Sequence, residues 1–131
     1  MERNEKTRAL LAAFGCALAY LLAGKALTAV LSQVPEEAAR MWAFVHRCAA
    51  APIVEELVFR GIIQQLARPL GERQAVALQA VLFAVQHRGP AGMAYALVCG
   101  LVLGTIRSRT GSVWPGMLLH TLNNLLVFAA G

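Results

Sequence analysis

Charge is scarce in this chain. Only 15% of its 131 residues are charged and 58% are hydrophobic, where an ordinary soluble domain has about 25% charged and about 45–50% apolar residues. With a mean hydropathy of +0.58, that balance leaves no stretch for a soluble domain and places the chain in a membrane. Ten-residue alternations of apolar and polar side chains are also missing, which excludes a transmembrane barrel. The apolar residues come in long runs, as spanning helices require. The expected fold is all-α, a polytopic transmembrane bundle of about five helices forming one integral membrane domain over residues 1–131.

Other absences narrow the function. The formal charge of +5 is spread along the chain, with no basic run and no interleaved aromatics, so no nucleic acid is expected as a partner. Cys16, Cys48 and Cys99 are odd in number and lack CxxC spacing, which argues against a disulfide framework or a zinc–thiolate site. Cys48 reads as a small buried residue. No HExxH pattern is present. The opening MERNEKTRALLAAFGCALAYLLAG has the charged and apolar regions of a signal peptide. Its apolar pattern runs on through Leu27 to Val34 without a small-residue cleavage site, so a retained first helix is expected.

Proline and glycine punctuation divides the chain into helices at about Arg8–Val34, Met41–Leu70, Arg73–His87, Ala91–Arg107 and Val113–Ala130. The third and fourth are short for a full crossing. With the amino terminus inside, Arg3, Lys6, Arg8, Arg68, Arg73, Arg107 and Arg109 share one side, against Arg40, Arg47 and Arg88 on the other. The positive-inside rule therefore favours a cytoplasmic amino terminus.

Three polar intrusions interrupt the apolar pattern. In APIVEELVFRG (51–61), Glu56 and Arg60 are four residues apart and can pair on one helix face. Glu55 lies about 100° around the axis and has no partner on its own helix. If Pro52 occupies a first helical turn, Glu55 sits near a helix N-terminus, where negative charge is favoured. In FAVQHRG (83–89), Phe83 and His87 share a face one turn apart. In HTLNN (120–124), His120 and Asn124 do the same, beside space left open by Gly116. Each of these has a structural reading: a helix-locking ion pair, an interfacial histidine, an interhelical asparagine. Ionisable groups on three separate helices in hydrocarbon together point to function. Helix rise puts Glu55 and His87 at a similar level, about 20 Å from the Arg68 end, with His120 somewhat lower.

The ordered motifs EExxxR (Glu55, Glu56, Arg60), FxxxH (Phe83, His87) and HxxxN (His120, Asn124) resemble the CPBP family of CAAX-protease and bacteriocin-processing (Abi) intramembrane glutamic endopeptidases. The likeness covers a catalytic core at about 48–128. It implies an intramembrane endopeptidase acting on a membrane-tethered peptide, such as a CAAX-like or sorting C-terminus or a leader. By this resemblance Glu55 activates water with help from His87, and His120 and Asn124 face the oxyanion. Glu56, Arg60 and Phe83 support the site. It also implies a reaction needing no cofactor, although Glu55, His87 and His120 together have the composition of a His₂Glu zinc site. A catalytically silent membrane binding, immunity or scaffold protein is the alternative, and a proton or ion path a third.

Overall fold

The computed structural model describes residues 2–131. Five helical rods follow one another: α1 (Glu2–Leu31), α2 (36–66), α3 (Glu72–Ala84), α4 (Gly89–Thr110) and α5 (Trp114–Ala129). A short 3₁₀ turn, Arg68–Leu70, joins α2 to α3. No strand occurs among the described residues. The all-α architecture with five helices matches the expectation, and its boundaries differ in instructive ways.

The second helix starts at Glu36, not Met41, with Glu36 and Glu37 in its first turn where the helix dipole favours acids. It gives way after Leu66 to the turn holding Pro69. The third ends at Ala84 because the chain tightens, Gln86 N–H donating to Phe83 O and His87 N–H to Ala84 O. The fourth is longer than its pattern suggested. At 22 residues α4 is long and apolar enough to cross a membrane, as is the 30-residue α1. Its C-terminus closes on Gly111, which takes a left-handed φ of 69° and donates its N–H to Arg107 O at 3.0 Å.

Pro52 does not begin a helix, so Glu55 lies inside a continuous rod and not at a free N-terminus. Two π-helical segments, His46–Ala50 and Glu56–Ile63, keep α2 unbroken. In the first, the Ala51 N–H bonds to His46 O and so abandons Arg47 O, its α-helical acceptor. The π-register donor for Arg47 O would be Pro52, which has no N–H. One carbonyl is therefore orphaned in the middle of α2, and another helix must satisfy it.

Packing inverts the pattern of a water-soluble protein. On α1 the buried stripe is Ala9, Ala13 and Ala17, while Leu11 is 69% exposed and Phe14, Leu18 and Leu22 also face outward. On α5, Leu126 is 72% exposed. Small residues inside and large apolar residues outside suit close helix packing within lipid. The core is an edge-to-face chain of aromatics across three helices. Tyr20 of α1 meets Phe59 of α2 at 5.3 Å, and Phe59 meets Phe83 of α3 at 5.1 Å between ring centroids.

The α3–α4 hairpin is drawn tight at Gly100, where an added Cβ would stand 2.9 Å from both Cα and Cβ of Ala80. Backbone cannot swing aside as a flexible side chain would. Gly100→Ala is expected to destabilise the bundle by about 1–3 kcal/mol through overpacking, read as a lower melting midpoint in detergent. Gly15→Ala, on an open face of α1, is the matched control and should leave the midpoint unchanged or raise it. Equal midpoints for the two variants would refute the close approach.

Candidate functional site

Helices α1, α2, α3 and α5 bring their polar residues to one place. At its centre lies the imidazole of His120, buried between the two glutamates of α2. Its Nδ1 is 2.8 Å from Glu56 Oε1 and its Nε2 is 3.5 Å from Glu55 Oε2. An imidazole has nitrogens on opposite edges, which lets one ring from α5 address two neighbouring residues that point different ways around α2. Nδ1 faces a carboxylate oxygen at hydrogen-bond distance and is assigned as the N–H donor on that ground. The Nε2 separation exceeds the ordinary hydrogen-bond range of about 2.7–3.2 Å, so this edge of the ring is not committed to Glu55.

The two carboxylates differ in access. Glu56 has no exposed side-chain surface, whereas 18% of Glu55 is exposed. Glu56 Oε1 also meets Arg60 Nη1 at 3.2 Å, in an ion pair whose members are both fully buried. The space expected beside Gly116 is filled by this glutamate: a Cβ on Gly116 would lie 2.7 Å from Glu56 Oε2. Glu55 Oε1 accepts from the Tyr20 hydroxyl of α1 at 3.3 Å. Tyr20 lies outside the three sequence motifs. Its one signal was a hydroxyl in the middle of an otherwise apolar helix.

Phe83 organises the remaining groups. Its ring centroid is 4.7 Å from that of His87 and 5.8 Å from that of His120, and the Arg60 guanidinium carbon sits 4.5 Å from the ring centroid. The cation rests on the negative face of the ring, and the two imidazoles meet the same ring edge-to-face. His87 Nδ1 lies 3.0 Å from Phe83 O. A carbonyl only accepts, so Nδ1 carries the proton and a neutral His87 leaves Nε2 as a lone-pair acceptor.

Asn124 is placed differently from His120. Its Nδ2 donates to Arg47 O at 2.8 Å, the carbonyl left orphaned by Pro52. Asn123 Nδ2 donates in turn to Asn124 Oδ1 at 3.4 Å, and Tyr95 of α4 donates to Asn123 Oδ1. The asparagine thus ties α5 to the irregular part of α2, and its second amide proton is left over. Among the described residues, no three His, Cys, Asp or Glu gather as a metal-binding set.

Of the three motifs EExxxR, FxxxH and HxxxN, on α2, α3 and α5, all but Asn124 therefore meet around His120 and Phe83. A family model described as type II CAAX prenyl endopeptidase Rce1-like matches residues 37–126, a span that takes in all three. No curated protein and no solved structure matches the chain. With most of its length inside that match, the chain belongs to the Rce1-like family of type II CAAX prenyl endopeptidases.

Proposed function

We propose that the chain is an intramembrane endopeptidase in which Glu55 activates water. The observation that carries this reading is the unequal pair of acids: Glu56 is sealed by Arg60 and His120, while Glu55 keeps an exposed face beside the same imidazole. A base that must meet water and substrate needs that access. Water held between Glu55 and Nε2 of His87 loses a proton to the carboxylate as its oxygen bonds to the peptide carbonyl carbon. The tetrahedral oxyanion is faced from α5 by the uncommitted Nε2 edge of His120 and by the spare amide proton of Asn124. As the C–N bond breaks, Glu55 returns its proton to the leaving nitrogen.

Glu56, Arg60 and Phe83 hold this set in place, and the residues involved lie within the proposed core at 48–128. The substrate is a membrane-tethered peptide with a CAAX-like or sorting C-terminus, or a leader. We place the amino terminus in the cytoplasm on the seven basic residues that share that side, and, on the resemblance to bacteriocin-processing proteins, the chain in a bacterial cytoplasmic membrane.

Membranes of cells producing the chain are expected to contain peptide neo-termini that are absent from cells without it. We propose a reaction that needs no metal, so those termini should form equally well after treatment with a membrane-permeant zinc chelator. Quantitative terminal mass spectrometry reads both arms. Identical termini with and without the protein would overturn the protease reading, and chelator-sensitive termini the metal-free mechanism.

A further inference from the structure

A second polar feature lies at the other end of Arg60. Between the C-terminal end of α2, the start of α3 and the last turns of α4 is a cavity of about 190 Å³, lined by Arg60, Gln64, Arg68, Glu72, Arg107 and Ser108 among others. A single water needs about 10–15 Å³ on this measure, so there is room for a multi-atom group. The lining carries three arginines against one glutamate.

That glutamate is already engaged, with Oε1 accepting from Ser108 at 2.5 Å and Oε2 lying 3.4 Å from Arg68 Nε. Gln64 Nε2 is likewise used, donating to Gly104 O and Ser108 Oγ, both at 3.0 Å. The deeper arginines keep nitrogens without a hydrogen-bond acceptor. Arg60 has no exposed side-chain surface, yet none of its three nitrogens makes a hydrogen bond, Nη1 meeting Glu56 only as an ion pair. Arg107 Nε is also buried without a partner. Buried guanidinium donors without acceptors are costly, and two of them border one cavity.

We infer that this cavity is a phosphate-binding site, with Arg60 and Arg107 as its unfilled donors. Phosphate offers several anionic oxygens at the spacing of a guanidinium fork, and arginine is the residue suited to it. The lining includes the exposed Arg68 and Gly111 at the chain turns, which gives a free phosphate or the headgroup of an anionic lipid a way in from the bundle end. The inference does not need the protease reading, since the cavity involves none of Glu55, His87 or Asn124, although Arg60 is shared through its ion pair with Glu56.

The test uses the detergent-purified chain and reads binding, not activity. Retention of phosphatidylglycerol against phosphatidylcholine is counted by native mass spectrometry. Separately, the melting midpoint is followed in inorganic phosphate against chloride at matched ionic strength. Selective retention of phosphatidylglycerol is expected for a headgroup site, and a phosphate-dependent rise in midpoint for a free-phosphate site; either supports the proposal. Arg107→Gln should weaken the bound species about tenfold or more, the loss of one charge-assisted hydrogen bond. Arg109→Gln, an exposed arginine at the same end that does not line the cavity, should not. If the wild type shows neither response, or if Arg109→Gln weakens binding as much as Arg107→Gln, the site is hydrated only and the proposal fails. The wild-type arms need no variant, so poor folding of Arg107→Gln leaves the test intact.

Discussion

Glu55→Gln is expected to reduce the yield of neo-termini by about 10²–10⁴-fold, the usual contribution of a positioned general base, while the protein folds and melts as wild type does. The amide keeps the shape of the side chain and can still accept from the Tyr20 hydroxyl, which approaches at 3.3 Å. It cannot take a proton from water. Because Glu55 is partly exposed, no buried partner is stripped by the change, and the His120 Nε2 edge was already too distant for a committed hydrogen bond. The measurement compares purified wild type and variant on a substrate peptide identified from membrane neo-termini, at matched amounts of folded protein. Retained turnover would remove Glu55 from the mechanism. Absence of turnover in both proteins would favour a silent binding role, and proton-coupled conductance in vesicles would favour an ion path.

How much of this was legible in the sequence depends on whether a feature is local. The Glu56–Arg60 pair, the Phe83–His87 stack and the helical class all follow from spacing along one helix, and spacing is what a sequence displays. The joining of Glu55 to His120 is a tertiary event across 65 positions. It could be anticipated only because both groups are ionisable in hydrocarbon and helix rise put them at comparable depth. Tyr20 was harder to see, since one hydroxyl among leucines is as easily an interfacial anchor as a ligand for a carboxylate. The irregular path of α2 was not readable at all. Proline at position 52 suggested a helix start, yet the bundle absorbs it with a π turn and spends Asn124 on the stranded carbonyl of Arg47. The outcome turned on a donor from another helix, which no pattern within residues 41–70 contains. Gln64 and Gln79 follow the same logic. They lie buried in apolar segments and bond to backbone carbonyls of α4, where glycines bring that backbone within reach.

Arg60→Ala should be the most damaging single change to folding, about 3–5 kcal/mol, because it leaves the fully buried Glu56 without its cation. The geometry makes the effect larger than that of a surface pair. Neither side chain has exposed surface, the guanidinium also rests on Phe83, and Glu56 Oε2 already lacks a hydrogen-bond partner. His120 alone would then face the orphaned carboxylate. A double variant separates this electrostatic cost from the loss of packing volume. Arg60→Met combined with Glu56→Gln fills the space without leaving a charge, and a buried ion pair replaced by well-packed neutral groups is often neutral in stability. Folded yield and melting midpoint in detergent should therefore fall steeply for Arg60→Ala and recover in the double variant, with Glu55→Gln close to wild type throughout. If Arg60→Ala and Glu55→Gln gave equal yields, the division between a structural and a reactive glutamate would fail. If the double variant stayed as unstable as Arg60→Ala, the loss would belong to the arginine's packing against Phe83, and the sealed ion pair would not be what holds α2 against α5.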